Sequence, residues 1–541
     1  MVRLVIALAC ASLIACSEDT TGSPASGPDG GGPGNGGDGD VSGDGDAAGD
    51  GDATGDGDGV GDGDGDAVGD GDGDGPPPSD CVCDASVAVP AECDPVCDTA
   101  FEVIFAASQF AGVYLTIEDA SWNTISSCAK DDAHSTMPPP ECDYQPATFH
   151  MVYAADPDDP GSQLVTTPEI PVGVRRKGRV SWRDMDDKPS LKVKFVNISP
   201  DKFMGLSRLT LNNMYQDHSM LHERTAYRVY RLAGLPAPLA NNMRVYVRRS
   251  ANADYESWGV YANIQTLDKR FIHYAVPPGD LPIGNLYDTY NNHYYSDLDR
   301  SSQRDQAGTA PGAQESRFEL ETNEMANDTS DLTALLDAIY VDDPTGDNSQ
   351  FMEEVGQIAD VDQFMRLFAT QALITDWDGF AGIRNNYKLY HDPVSDRFVM
   401  FPWGTDQSFA WWDGVYYVNW DYRLQHDDSV RTESLFMRRC VDDAGDCYAR
   451  YLVHAQDVLD AWNSVDLAAE VQVWAAQTDQ AMADDNMKFY STDDSRRSRD
   501  YLIHYMQTRG QCFGGQLSGN TCANMDCPLG GGFFVRDCTE N

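Results

Sequence analysis

The chain has 541 residues, with 38 Lys and Arg against 87 Asp and Glu, which gives a net charge of −49 at pH 7. So large an excess of acid repels phosphate backbones and excludes nucleic acid as a natural partner. A hydrophobic fraction of 41%, with 10 Trp, 25 Tyr and 20 Phe, is enough for a large core, so most of the chain is expected to be globular.

Residues 1–16, MVRLVIALACASLIAC, place one basic residue before an apolar run, the layout of a secretory signal and too short to span a bilayer. The run closes on Leu13-Ile14-Ala15-Cys16, which resembles the lipobox of bacterial lipoproteins. That resemblance implies lipidation at Cys16 and an exported chain held in the cell envelope by acyl groups, at the outer membrane or cell surface. Residues 17–80 hold 18 acidic residues and no Lys or Arg, much of it as Gly-Asp repeats, and are expected to form a disordered, charge-stretched tether. Asp70, Asp72, Asp74 and Gly75 match the first half of an EF-hand loop, but its twelfth position is Cys81 rather than Glu. Residues 81–100 form a Cys-rich lead-in. Apart from Cys10 and Cys16, twelve cysteines remain, clustered near both ends of the globular part with one local pair, Cys440 and Cys447. An even count without nearby His favours disulfide staples over zinc.

From Phe101 the pattern turns to strands: FEVIF at 101–105, Gly112–Asp119, Thr148–Tyr153, Val172–Arg176 and Ser190–Phe195. In the last of these Lys192 and Lys194 alternate with Leu191, Val193 and Phe195, so the two lysines share a strand face. A helix is predicted over Ser219–Ala233, stopped by Gly234 and Pro236, followed by a strand pair near Met243–Arg248 and Trp258–Ile264. The second half is mainly helical, with helices at Asp331–Tyr340, Val361–Thr375 and within 448–508. A hairpin of Asn386–Tyr390 and Arg397–Phe401 interrupts it, and a Cys- and Gly-rich tail follows from about 510. This is an α+β chain, a β-rich N-terminal half followed by an α-rich half, with a cleft expected between them.

Asp376, Asp378, Asn385 and Asn386 lie within eleven residues, and Asp406 follows the hairpin in PWGTDQSF. The turn brings them together, and hard oxygen donors of this kind suit Mg²⁺ or Mn²⁺ shared with phosphates. The same residue types also cap helices and build Asx-turns. The aromatic run Trp411, Trp412, Tyr416, Tyr417, Trp420 and Tyr422 suits either a cleft wall or a stacking surface for sugar or peptide.

The run DWD-x(6)-NNYKLYHDP-x(3)-RFVMFPWGTDQSFA resembles the signature of the spore coat protein H (CotH) kinase family, with its NNYYLY and PWDLDxSFG elements. VRRKGRVS at 174–181, KPSLKVKF at 188–195, LSRLTLNNMYQD at 206–217 with the helix after it, and GVYANIQTLDKRF from Gly259 resemble further family segments in the same order, over roughly 101–509. The resemblance implies an atypical, two-lobed protein-kinase-like fold over 101–509 and ATP-dependent phosphorylation of protein Ser or Thr. In that mapping Lys192 or Lys194, with Arg176, reaches the nucleotide phosphates. Asp376 or Asp378 orients the acceptor hydroxyl, and Asn385 or Asn386 with Asp406 holds Mg²⁺ or Mn²⁺.

Four positions depart from the pattern. Gly404 replaces the first Asp of PWDxD, Gln265 stands where GxYxLxE places Glu, and Arg179-Val180 replace the Asn and first Ser of the turn. These losses of charge and ligands make a catalytically inactive surface module, binding an adhesion or matrix partner, the competing expectation.

Overall fold

The computed structural model describes residues 101–128, 142–159, 161–178, 180–195, 202–279, 281–289, 298, 318–339, 351–409, 435–441 and 446–518. Cys16, the acidic tether, the Cys-rich lead-in, Arg179 and the aromatic run at 411–422 lie outside the described residues. The chain is mixed α/β, with strands dominating its first half and helices its second.

The first ordered element corrects the sequence expectation, because FEVIF is not a strand but a single helical turn, α1 (Glu102–Phe105). Apolar runs this short carry no decisive period. Phe101, Ile104 and Phe105 are buried as a plug of the neighbouring core, and Asn241 donates to the Ile104 carbonyl at 2.8 Å.

After it come β1 (Gly112–Thr116), α2 (Asp119–Ser127), β2 (Gln145–Ala154), β3 (Leu164–Thr166), β4 (Ile170–Lys177), β5 (Ser190–Lys194) and β6 (Arg208–Asn212). Then follow α3 (His222–Leu232), β7 (Ala240–Arg248), β8 (Glu256–Ile264) and α4 (Lys269–Ala275). The strands are hydrogen-bonded in the order β1-β7-β8-β6-β5-β4-β2-β3, and β1 also pairs with β2, so the sheet closes on itself like a barrel. Only the β1–β7 contact in this ring is parallel. Closure removes the exposed strand edges that an open sheet would present.

Alternation along each strand sorts its side chains. Val113, Phe149, Val174, Val193, Leu211 and Val245 are among those that fill the interior. On β7 and β8 the outward positions Ala240, Val260, Ala262 and Ile264 join a second core, shared with α3 and the helical region. A disulfide from Cys128 to Cys142 ties the end of α2 to the approach to β2.

The second half holds β9 (Leu286–Thr289), β10 (Phe318–Leu320), α5 (Ser330–Ile339), α6 (Phe351–Glu354), α7 (Val361–Ile374), α8 (Phe380–Ile383), β11 (Tyr387–Asp392) and β12 (Arg397–Pro402). It ends in α9 (Leu435–Val441), α10 (Asp446–Asn463), α11 (Leu467–Ala483) and α12 (Thr492–Leu517). The four strands form an antiparallel sheet in the order β10-β9-β11-β12, in which β11 and β12 are the expected hairpin. Helix α7 is buried around nearly its whole circumference, as its apolar sequence requires. The second disulfide, Cys440–Cys447, joins α9 to α10. Helix α12 runs through the 509/510 boundary at which the sequence placed the start of the tail, and Cys512 within it is disulfide-bonded.

A buried ion pair connects the barrel to the helices. Lys188, just before β5, bonds Asp485, just after α11, and both side chains are fully enclosed. Asp485 also accepts from the Val260 and Met487 amides. Gly259 (φ +80°) lies so close to this carboxylate that a Cβ there would overlap it.

Candidate active site

The carboxylates are presented by chain reversals at element ends. Asp360 caps α7 by accepting the Gln363 amide at 3.0 Å, and Thr375 (φ +51°) ends the helix in the left-handed region. The chain then turns through Asp376 and Asp378 to α8, and Arg384 and Asn386 reverse it into β11, both with positive φ.

These turns gather the predicted residues on Asp378. Asn385 Nδ2 donates to Asp378 Oδ1 at 2.9 Å, while Asn386 Nδ2 and Gln407 Nε2 donate to Oδ2 at 2.8 and 3.0 Å. Asn386 also bonds the Gly404 carbonyl at 3.0 Å and accepts the Trp403 amide at 3.0 Å, locking the hairpin to the turn that carries Asp406. Asp376 lies deeper, and the Tyr230 hydroxyl of α3 donates to its Oδ2 at 2.5 Å.

Two acids of the preceding barrel segment join this group. Asp217 accepts from the backbone amides of Ser219, Met220 and His222 and from the Ser219 hydroxyl, which fixes the start of α3. Both carboxylate oxygens of Glu223, in the first turn of α3, accept from Asn212 Nδ2, at 2.7 and 2.9 Å. The His222 Nδ1 lies 2.9 Å from the Asp406 carbonyl oxygen, so α3 and the Asp406 turn are directly joined.

So much buried acid shifts its own protonation. Burial pushes Asp376 up to about 7, with Asp378 adding to the effect and the Tyr230 bond opposing it. Burial also raises Asp378 to about 6 against its three amide donors, and raises Glu223 to about 7 against Asn212 and Lys177. Asp406 is pushed well above the usual carboxylate range by burial and by the charges of Glu223, Asp378 and Asp217. Such a group gains from a cation. Among the described residues no set of three or more His, Cys, Asp and Glu side chains converges tightly enough to cage a metal by itself.

One outer face of the barrel is basic. The alternation that turns Leu191 and Val193 inward leaves Lys192 and Lys194 outward, and β4 and β6 place Arg175, Lys177 and Arg208 on that same outer face. Lys194 and Arg175 lie 5.3 and 4.5 Å from the Tyr144 ring centre. Arg176 points the other way: its guanidinium bonds the carbonyls of Ser126, Cys128 and Arg183 and the Asp184 carboxylate, and stacks on Trp182. It is a strut at the barrel end and is not brought together with the carboxylates.

Beside this face Lys388 of β11 bonds Glu321 at 2.9 Å and Asp288 at 3.0 Å. Burial opposes ionisation of Glu321, but Lys388 and Lys192 outweigh it and hold its carboxyl down at about 2. Lys177 and Lys388 approach the Trp403 ring to 6.0 and 5.9 Å. Sequence reasoning assigned no role to Lys177, Asn212, Asp217, Tyr230 or Gln407. All five sit inside segments it had already singled out.

The family model described as "CotH kinase protein" matches residues 174–513, well over half of the chain. The chain belongs to the CotH kinase family. It is also similar to the inner spore coat protein H of Bacillus subtilis (strain 168), 24% identical over 227 residues, which is 41% of this chain and 55% of that protein. The match thus spans about half the length of that curated relative.

Two departures from the CotH pattern have a local physical account. Gly404 adopts φ +55°, and a Cβ there would lie 2.8 Å from the Asn386 amide carbon, so Asp fits this turn only if Asn386 moves. Gln265 accepts the Leu239 amide at 3.0 Å and returns its own N–H to the Leu239 carbonyl at 2.9 Å, securing the entry to β7. Its oxygen does there what a carboxylate oxygen would do. A groove of about 730 Å³ lined by Trp462, Asp466, Met506 and Gln507 is confined to α10–α12 and shares no residue with the site.

Proposed function

We propose that this CotH-family chain is an ATP-dependent protein Ser/Thr kinase with an atypical, two-lobed arrangement, working outside the cytoplasm. The observation that carries the reading is the pairing of an acidic group, Glu223, Asp376, Asp378 and Asp406, with a basic strand face to which it is joined through Asn212 and Lys177. Phosphoryl transfer needs positioning and charge neutralisation more than covalent catalysis, and those are the two things this arrangement offers.

The donor set fits Mg²⁺ or Mn²⁺, which bind through one or two carboxylates together with substrate phosphates rather than through an all-protein cage. Asp406 and Glu223, with the amide oxygens of Asn385 or Asn386, would hold the ion, since the amide nitrogens of both asparagines are already donated to Asp378. The bound ion would neutralise phosphate charge. Asp378, held still by three amides, keeps a lone pair on Oδ1 for the acceptor hydroxyl. Asp376 lies deeper, and the charge of Asp378 adds to the burial that raises its pKa. Lys192 faces the phosphates from the barrel.

In this reading lipid on Cys16 attaches the chain to the envelope, and the disulfides Cys128–Cys142 and Cys440–Cys447 suit an oxidising compartment. A second reading, a surface module for adhesion or matrix binding without phosphotransfer, is favoured by Gly404, where the family pattern carries a carboxylate.

Calorimetric titration of ATP with Mg²⁺ or Mn²⁺, against an Asp406→Ala variant, separates the two. The kinase reading expects metal-dependent binding that the variant loses by tenfold or more, about 1.4 kcal/mol. Absence of binding with either metal overturns it in favour of the surface module.

A further inference from the structure

An α-helix leaves its last four carbonyls without partners of its own, so the donors that meet them at the end of α7 fix where the chain goes next. The Asp376 amide returns to the Gln371 carbonyl at 2.9 Å. Helix α12 supplies the donors for the next two. Arg509 Nη2 donates to the Ala372 carbonyl at 2.9 Å, while Arg509 Nε and the Tyr505 hydroxyl both donate to the Leu373 carbonyl at 2.8 Å. The Phe409 amide takes the Ile374 carbonyl at 2.7 Å.

Both turns that carry the acids therefore hang on this one helix end. Asp376 and Asp378 follow Thr375, whose φ of +51° starts the reversal, and Asp406 lies in the turn that the Phe409 amide closes. The Phe409 and Tyr505 rings meet edge to face at 5.5 Å, so Tyr505 contacts the second turn as well as the helix end that begins the first. Arg509 is buried, with the Phe513 ring 5.5 Å from its guanidinium. A cation suits this place, because the aligned peptide dipoles of α7 leave partial negative charge at its C-terminal end. An apolar side chain in place of Arg509 leaves the Ala372 and Leu373 carbonyls short of donors, and the reversal must shift to satisfy them.

We propose that Arg509 and Tyr505 are positioning residues for the acidic site: from behind α7 they hold the reversal that presents Asp376 and Asp378 at a fixed spacing from the turn that presents Asp406. They act through the backbone of α7. The assignment rests on the kinase reading and deepens it, since it makes metal binding depend on a helix 132 to 137 positions further along the chain.

The test compares the wild type with Arg509→Met, Arg509→Lys, Tyr505→Phe and a control, Leu502→Ala, which loosens α12 at a fully buried apolar position. Thermal midpoint, amide exchange at residues 375–379 and 404–409 without metal, and Mn²⁺ affinity with ATP present are measured for each. Loss of a residue that orients metal ligands weakens binding by roughly 10–100-fold. The expected result is a loss of that size in Arg509→Met with faster exchange in both segments, partial recovery in Arg509→Lys, and a smaller loss in the same direction in Tyr505→Phe. Leu502→Ala is expected to lower the midpoint while leaving exchange in the two segments and Mn²⁺ affinity near those of the wild type. Affinity that falls in step with the midpoint in every variant, the control included, makes the role purely structural and overturns the proposal. A folded Arg509→Met with wild-type exchange and affinity also overturns it, and both results leave the kinase reading standing. If Arg509→Met does not fold, Tyr505→Phe, which removes a single hydroxyl, decides between the same outcomes. A wild type that binds neither Mn²⁺ nor ATP overturns the kinase reading and the assignment together.

Discussion

The barrel wall and the helical region carry clusters of opposite charge, built by different structural means. On the barrel, Arg175, Lys177, Lys192, Lys194 and Arg208 are outward positions of three neighbouring strands, spaced by the two-residue period of the pleat. The acids come instead from the ends of elements: the reversal after α7, the turn after β12 and the first turn of α3. Regular strands arrange cations that need only share a face. Turns carry carboxylates into the interior instead, and burial there raises the pKa values of Asp376, Asp378 and Glu223, with a neighbouring acid adding to the rise for Asp376 and Glu223.

The largest expected effect comes from uncoupling the two regions. Lys188→Met leaves Asp485 enclosed without its cation, and removing one partner of a buried ion pair costs about 3–5 kcal/mol. Urea unfolding checks this, and a loss below about 1 kcal/mol would mean that the two regions hold together without the pair.

Adding acid to the acidic side sharpens the comparison. Gly404→Asp restores the family's residue but places a side chain at φ +55° against Asn386. It is expected to lower stability by about 1–2 kcal/mol. Unchanged stability with tighter Mn²⁺ binding would show that the turn yields easily and that the missing ligand, not the turn, limits metal binding.

The smallest effect is on the pH profile. Asp376, Asp378 and Glu223 titrate higher in the folded chain than unfolded, so between about pH 4 and 7 the native state binds more protons and stability falls as pH rises. His391, raised by Asp331, acts in the same direction above pH 6.5, whereas His218, lowered to about 4 by burial, acts in the opposite direction below it. The acids are therefore isolated by difference. Asp376→Asn should flatten the decline in thermal midpoint from pH 5 to 7.5, and Mn²⁺ should raise the wild-type midpoint more at pH 7.5 than at pH 5. Parallel profiles for wild type and variant would show that Asp376 is ionised as readily as a surface acid.

Much of this was legible in the sequence where one short-range rule governed it. The shared face of Lys192 and Lys194 follows from alternation, and the same rule applied to β4 and β6 adds Lys177 and Arg208. Asp376, Asp378, Asn385 and Asn386 were grouped because a helix end and a hairpin confine them within eleven residues. What stayed hidden depends on long-range pairing. Lys188 meets Asp485 across 297 positions, and barrel closure needs β1 beside both β2 and a β7 that lies more than a hundred residues further on. Arg176 looked like a phosphate ligand by residue type, but the inward turn of alternate β4 side chains sends it to the barrel end instead.

The central claim, that carboxylates and strand lysines form one metal–nucleotide site, is tested most directly by a crystal structure with Mn²⁺ and a non-hydrolysable ATP analogue. An anomalous manganese peak in direct coordination with Asp406, and phosphate oxygens within hydrogen-bonding distance of the barrel lysines, is the predicted result. Nucleotide bound away from both walls, or manganese bound without contact to Asp406 or Glu223, would contradict it.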